Sequence, residues 1–222
     1  MGQLVTFKRP DGSECKGYLA SPAGSDKAPG VVVIQEWWGL NDQIKGVAER
    51  LATLGYRALV PDLYKGKLAL DVAEASHMMT NLNFADAATQ DIRGAAQYLK
   101  QASPKVGVVG FCMGGALTVL AAVFVKEADA ASSWYGFPPE QAADVKTIAT
   151  PLQLHFAEKD AAFAPAGARA LEAKLREGKV GFESYWYDAE HAFANETGPK
   201  YNAECAKLAW QRTTDFFAKH LK

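Results

Sequence analysis

Cys112 sits at the centre of Gly110-Phe111-Cys112-Met113-Gly114-Gly115. A small nucleophile with a glycine two positions to either side, between a β-branched run and an apolar helical run, has the layout of a nucleophile elbow. Lys105-Val106-Gly107-Val108-Val109 supplies the strand, and Ala116 to Val123 supplies the helix. The turn is tight enough for neighbouring side chains to collide, so Gly110 and Gly114 leave room. Strain at its centre points the nucleophile away from the sheet. Two other readings attach to this stretch. A cysteine between strand and helix is often a small buried hydrophobe. Glycines after a strand also hold phosphates at helix N-termini. G-x-G-x-x-G and Gly-Lys-Ser/Thr are both missing, however, so a nucleotide is weakly indicated.

A thiol nucleophile needs a base to take its proton and a group to orient that base. Asp160 follows the apolar run ending Phe156-Ala157, and His191 follows the run ending at Tyr187. The chain order nucleophile, acid, histidine is the one used by α/β-hydrolases. Taken singly, an acid after a strand is a solvated turn residue and a histidine packs. Taken with the elbow, Cys112, Asp160 and His191 read as a triad. His155 lies inside a strand, His77 in an irregular segment and His220 at the chain end, so they compete poorly. Asp188 and Glu190 are too near His191 along the chain to be favoured as its orienter. Cys15 and Cys205 have no elbow and read as structural.

The elements that must position these residues alternate. Gln3 to Lys8 and Cys15 to Ala20 read as strands joined by the turn Arg9-Pro10-Asp11-Gly12, and Ser21 to Pro29 is a polar loop. Gly30 to Gln35 is a continuous apolar run, as in a strand covered on both faces. Asn41 or Asp42 caps a helix carrying Ile44, Val47, Ala48, Leu51 and Leu54 at helical spacing, and Gly55 ends it. Tyr56 to Val60 is the next strand. Residues 65–83 look irregular, as a small cap, and Phe84 to Ala102 reads as one long alanine-rich helix. Ala130 to Tyr135 and Pro151 to Ala157 read as strands around a polar helical insert. Pro165 to Glu177 is helical and stopped by Gly178, Phe182 to Tyr187 is a strand, and Tyr201 to His220 is the last helix. This pattern predicts an α/β fold, a mostly parallel central sheet with helices on both faces, formed as a single domain over 1–222. Loops at the carboxyl ends of such strands carry the site, and Glu36, Cys112, Asp160 and His191 all fall there.

Composition narrows the function. At 222 residues with 49% hydrophobic content the chain can bury one sizeable core. Net charge is -1 with no basic stripe, which argues against nucleic acid and anionic membranes as partners. Three scattered cysteines form neither a disulfide framework nor a metal pattern. With no signal peptide, the expectation is a reducing cytoplasm. No run is long enough for a membrane span. Met1 to Thr6 fits the N-myristoylation consensus, but Leu4 to Phe7 reads better as an edge strand.

The sequence resembles the dienelactone hydrolase (carboxymethylenebutenolidase) family of the α/β-hydrolase fold over nearly its whole length. The resemblance is carried by Gln35-Glu36-Trp37-Trp38-Gly39-Leu40, Val60-Pro61-Asp62-Leu63-Tyr64, the elbow, and His191-Ala192-Phe193. It implies hydrolysis of a small ester or lactone by Cys112, His191 and Asp160 through a thioester, with no metal or organic cofactor. It also implies a fourth functional acid, Glu36, which holds the resting thiol and accepts its proton; the plain alternative is a loop acid paired with a lysine or arginine. The backbone N–H groups of Trp37 and Met113 are the expected oxyanion donors. Trp37 and Trp38 read as part core, part pocket, and Tyr135, Phe137 and Asn195 as further pocket residues. One departure stands out. Family members that take dienelactone bind its carboxylate with arginines, one in the cap and one just after the histidine. Here Ala192-Phe193-Ala194-Asn195 and the stretch Asp71 to Leu82 hold none. Lys65, Lys67 and Lys200 are the available cations, without arginine's bidentate fork, so another ester or lactone is at least as well supported. A thioesterase or peptidase on the same triad, and a non-catalytic redox-sensing thiol, are the competing functions. One small domain is compatible with a monomer.

Overall fold

The computed structural model describes residues 2–24 and 27–222. Met1, at the head of the acylation pattern, and Ser25-Asp26, in the expected polar loop, lie outside the described residues. The described strands form one eight-stranded sheet in the order β1-β2-β4-β3-β5-β6-β7-β8. Their ranges are β1 Gln3–Lys8, β2 Glu14–Ala20, β3 Gly30–Ile34, β4 Arg57–Pro61, β5 Val106–Phe111, β6 Ala130–Trp134, β7 Leu152–Ala157 and β8 Phe182–Tyr187. β2 is antiparallel to β1 and β4, and the pairings from β4 to β8 are parallel. The continuous apolar runs are the central strands: every residue of β3, β5 and β6 is buried, as parallel strands covered on both faces require.

β5 shows how the two faces are covered. Side chains alternate along a strand. A Cβ on Gly107 would meet Phe217 and Leu221 of the last helix, α7 (Ala203–Leu221), whereas one on Gly110 would meet Gly114 and Thr118 of α5 (Met113–Phe124). The two helices therefore lie on opposite faces. α1 (Asp42–Thr53) begins where the Asn41 side chain accepts from the Ile44 N–H at 3.1 Å, and it buries Ile44, Val47, Ala48 and Leu51. It neighbours α7, with Arg50 4.5 Å above the Trp210 ring.

Three segments differ from the sequence expectation, and a fourth carries an added detail. Residues 65–83 hold a regular helix, α2 (Val72–Asn81), capped by the Asp71 side chain accepting from the Glu74 N–H at 2.8 Å. The segment from Phe84 is not uniform: the turn α3 (Phe84–Asp86) runs into a π-helical stretch, Ala87–Ile92, and then into α4 (Arg93–Lys100). Asp86 and Asp91, in and beside the widened turns, both engage Arg9, at 2.5 and 3.1 Å. The insert before β7 is two single 3-10 turns, Glu140–Ala142 and Val145–Thr147, separated where Ala143 is extended (φ −163°, ψ 154°). α6 (Pro165–Glu177) does end at Gly178, but the left-handed residue is Lys179, with φ 55°. No helix of the described residues is long and apolar enough to cross a membrane.

Candidate active site

The turn between β5 and α5 carries Cys112 at φ 56° and ψ −119°. Such a backbone costs on the order of 1–3 kcal/mol for a non-glycine residue and persists only where the surroundings enforce it. The enforcing contacts are visible. A Cβ on Gly110 would lie 2.1 Å from the Gly114 carbonyl oxygen, and one on Gly114 would lie 2.5 Å from that of Ile34. The elbow is thus pressed against the end of β3, from which the loop bearing Glu36 leaves.

Two further loops close on the thiol. After β7, Asp160 turns back so that its Oδ1 accepts the N–H groups of Ala162 and Phe163, at 2.8 and 2.7 Å. Its Oδ2 lies 2.8 Å from His191 Nδ1, and His191 Nε2 lies 3.0 Å from Cys112 Sγ. A carboxylate only accepts, so it selects the Nδ1–H tautomer and leaves Nε2 free to take the thiol proton. The imidazole is held from both sides. The Phe163 ring stacks on it at 5.5 Å, and the Tyr135 ring meets it edge-on at 5.4 Å. Left-handed backbone recurs in these loops, at Tyr135 (φ 39°) and Ala192 (φ 60°). The structure therefore brings Cys112, His191 and Asp160 into one hydrogen-bonded chain.

Burial dominates the electrostatics. Cys112 is 6% exposed. Loss of hydration pushes its thiol well above the ordinary range, the Glu36 and Asp160 charges push it further, and only the Met113 N–H directed at it favours the thiolate. Glu36 is 5% exposed. Its Oε1 accepts from the Tyr135 hydroxyl at 3.1 Å and its Oε2 from the Asn195 amide at 2.7 Å. No cation pairs with it among the described residues. Burial raises its carboxyl above the usual value, against those two hydrogen bonds and the charge of His191. The thiol is hydrogen-bonded to His191, while both Glu36 oxygens are taken by Tyr135 and Asn195. That differs from the resemblance-based expectation that Glu36 holds the resting thiol. Tyr135 and Asn195, read from the sequence as pocket residues, are buried and direct their polar atoms at Glu36.

The remaining expected residues fall around this centre. Trp37 and Trp38 are half-buried and meet edge to face at 5.4 Å, in a turn closed by the Gly39 N–H on the Glu36 carbonyl at 3.5 Å. Phe137 is half-buried and lies 5.3 Å from the Phe163 ring, centre to centre. Phe163 itself had no sequence signal beyond following Asp160. The competing histidines lie elsewhere. His155 is fully buried with Tyr187 and Gln153 as partners, its pKa pushed down to about 3 by burial and then by Arg212. His77 is exposed on α2, and His220 is in the last turn of α7. Asp188 pairs with Lys159 at 2.5 Å and Glu190 with Lys200 at 3.4 Å. Cys15 is buried, with its thiol pushed up to about 12 by burial first. Among the described residues no three His, Cys, Asp or Glu side chains are grouped as metal ligands.

The chain is 35% identical to "Protein usf" of Aquifex pyrophilus, with both chains fully covered. It is 31% identical to the "Putative carboxymethylenebutenolidase" of Aquifex aeolicus, again over the full length of both. Among solved structures it superposes on the "Putative Dienelactone Hydrolase" of Klebsiella pneumoniae with a TM-score of 0.86 and 26% identity, covering 99% of each chain. Residues 15–221 match the family model described as "Dienelactone hydrolase family", and the chain belongs to that family of hydrolases with the α/β-hydrolase fold.

Proposed function

We propose that the protein hydrolyses a small ester or lactone with Cys112 as nucleophile and a thioester acyl-enzyme as intermediate. The observation that carries this reading is the unbroken run from Cys112 Sγ to His191 Nε2 (3.0 Å) and from His191 Nδ1 to Asp160 Oδ2 (2.8 Å). His191 takes the thiol proton as the sulfur attacks the carbonyl carbon. The N–H groups of Trp37 and Met113 receive the oxyanion. The tetrahedral intermediate collapses, the C–O bond breaks, and the alkoxide leaves with the proton from His191. Water, deprotonated by His191, then cleaves the thioester to a carboxylic acid and the free thiol. Asp160 holds the tautomer throughout. Burial, and after it the repulsion of the Glu36 charge, keep the resting thiol protonated. Burial also raises the Glu36 carboxyl above its usual value, which suits it to act as a second proton acceptor. The reaction needs one small-molecule substrate and no cofactor. We read the chain as a single domain acting as a monomer in the cytoplasm, without nucleic-acid or membrane partners.

The test is turnover of p-nitrophenyl acetate by wild type and Cys112→Ala. Loss of at least ~1,000-fold in kcat is expected when a triad member is removed. A variant that keeps its rate would sink the nucleophile.

A further inference from the structure

Next to the elbow, reached through Met113, lies an open groove of about 450 Å³, within the size range of small-molecule sites. Its wall includes Met79 and Leu82 from the cap side, Phe84, Met113 next to Cys112, and Phe137 and Phe163. No charged residue contributes to the wall. Two of its lining residues are neighbours of the triad. Met113 directly follows the nucleophile, and Phe163 stacks on the His191 ring.

Apart from His191, the ionisable groups acting on the thiol and on Glu36 are acidic. Glu36 and Asp160 act on Cys112, and Glu196 adds to the negative field at Glu36 and Tyr135. The nearest candidate cations are engaged or line another recess. Lys200 pairs with Glu190 at 3.4 Å and Lys159 with Asp188 at 2.5 Å. Lys65 and Lys67 line a separate recess together with Asp86 and Asp91. A carboxylate on the acyl group would leave water for an apolar wall and face two or three like charges, with no partner to offset either cost.

We infer that the acyl group delivered to Cys112 is uncharged and apolar, an aliphatic or aryl chain seated between Met79, Leu82, Phe84, Phe137 and Phe163. This rests on the nucleophilic role of Cys112 and adds the substrate class to it. Groove contact grows with chain length, so kcat/KM should rise about fourfold per methylene until the groove is filled.

The experiment follows acid release from methyl acetate, methyl pentanoate and monomethyl succinate, the last matching the pentanoate in chain length but ending in a carboxylate, with a methoxide leaving group too poor for that carboxylate to expel by itself. Pentanoate should exceed acetate by about tenfold or more and the succinate by about a hundredfold. Thr80→Arg, at the exposed groove rim, should raise the ratio of succinate to pentanoate turnover at least threefold. Equal or better use of the succinate by wild type, or no dependence on chain length, would overturn the inference. Binding of the intact pentanoate and succinate esters to Cys112→Ala, followed by calorimetry, separates the layers. Tighter pentanoate binding there supports the groove even if another residue proves to be the nucleophile, and equal binding contradicts it.

Discussion

The Asn195 side chain donates to Glu36 Oε2 at 2.7 Å, joining the loop after β8 to the loop after β3 across 159 positions of sequence. A buried carboxylate is thereby held by a neutral amide and, through Tyr135, a neutral hydroxyl. Hydrogen bonds of this kind orient a charge but do not neutralise it, so Glu36 keeps most of its desolvation cost.

Glu36→Gln should therefore stabilise the fold while impairing the reaction. Glutamine can turn its carbonyl toward the Asn195 amide and its NH2 toward the Tyr135 oxygen. The carboxyl's pKa is higher folded than unfolded, so wild type pays the penalty in full above the folded value and not at all below the ordinary 4.5. At pH 7 the variant should melt about 2–4 °C higher for each kcal/mol recovered, and the difference should vanish as pH falls toward 4. A lower melting temperature at pH 7 would contradict this. Ester turnover should fall, and an unchanged rate would remove Glu36 from the mechanism.

The same substitution has an opposite effect on the free thiol. Glu36 repels the Cys112 thiolate, so removing its charge lowers the thiol's pKa. The pH at which iodoacetamide alkylates Cys112 at half its maximal rate should move down in Glu36→Gln. An upward move would mean that Glu36 assists ionisation at rest rather than opposing it.

Much of this was legible because it is local or ordered along the chain. The elbow is a six-residue pattern, and Cys112, Asp160 and His191 each follow a strand in the family's order. The contacts that tune Glu36 were not legible. Tyr135 and Asn195 reach it from 99 and 159 positions away, and no periodicity encodes such a meeting. The strained backbone at Tyr135 and Ala192 was equally hidden, since neither is glycine or asparagine. α2 was missed because it buries only Ala75, leaving no apolar stripe to read. The π-helical stretch was missed because a widened turn leaves an alanine-rich pattern unchanged.

Asp160→Asn should leave the loop largely intact and still damage catalysis. The amide oxygen can keep accepting from Ala162 and Phe163, but its NH2 would face His191 Nδ1 and favour the wrong tautomer. A fall in kcat of up to about 10,000-fold is expected, with a melting temperature near wild type. Wild-type kcat in a folded variant would exclude Asp160 as the orienter.

Gly110→Ala tests the elbow as a packing device. Its Cβ would lie 2.1 Å from the Gly114 oxygen and 2.5 Å from Thr118 Oγ1, so the turn must open. Destabilisation of at least ~3 kcal/mol is expected, in the range of severe single substitutions, read as insoluble expression or a melting point lower by ~6 °C or more. A variant as stable as wild type would mean that the turn does not depend on this close approach.

The most direct test of the central claim is mass spectrometry of the protein acid-quenched within milliseconds of mixing with excess p-nitrophenyl ester. The account predicts an added acyl mass on the peptide containing Cys112, labile to hydroxylamine, and absent from Cys112→Ala. Turnover continuing in wild type with the acyl group found on another residue, or undiminished in Cys112→Ala, would contradict it.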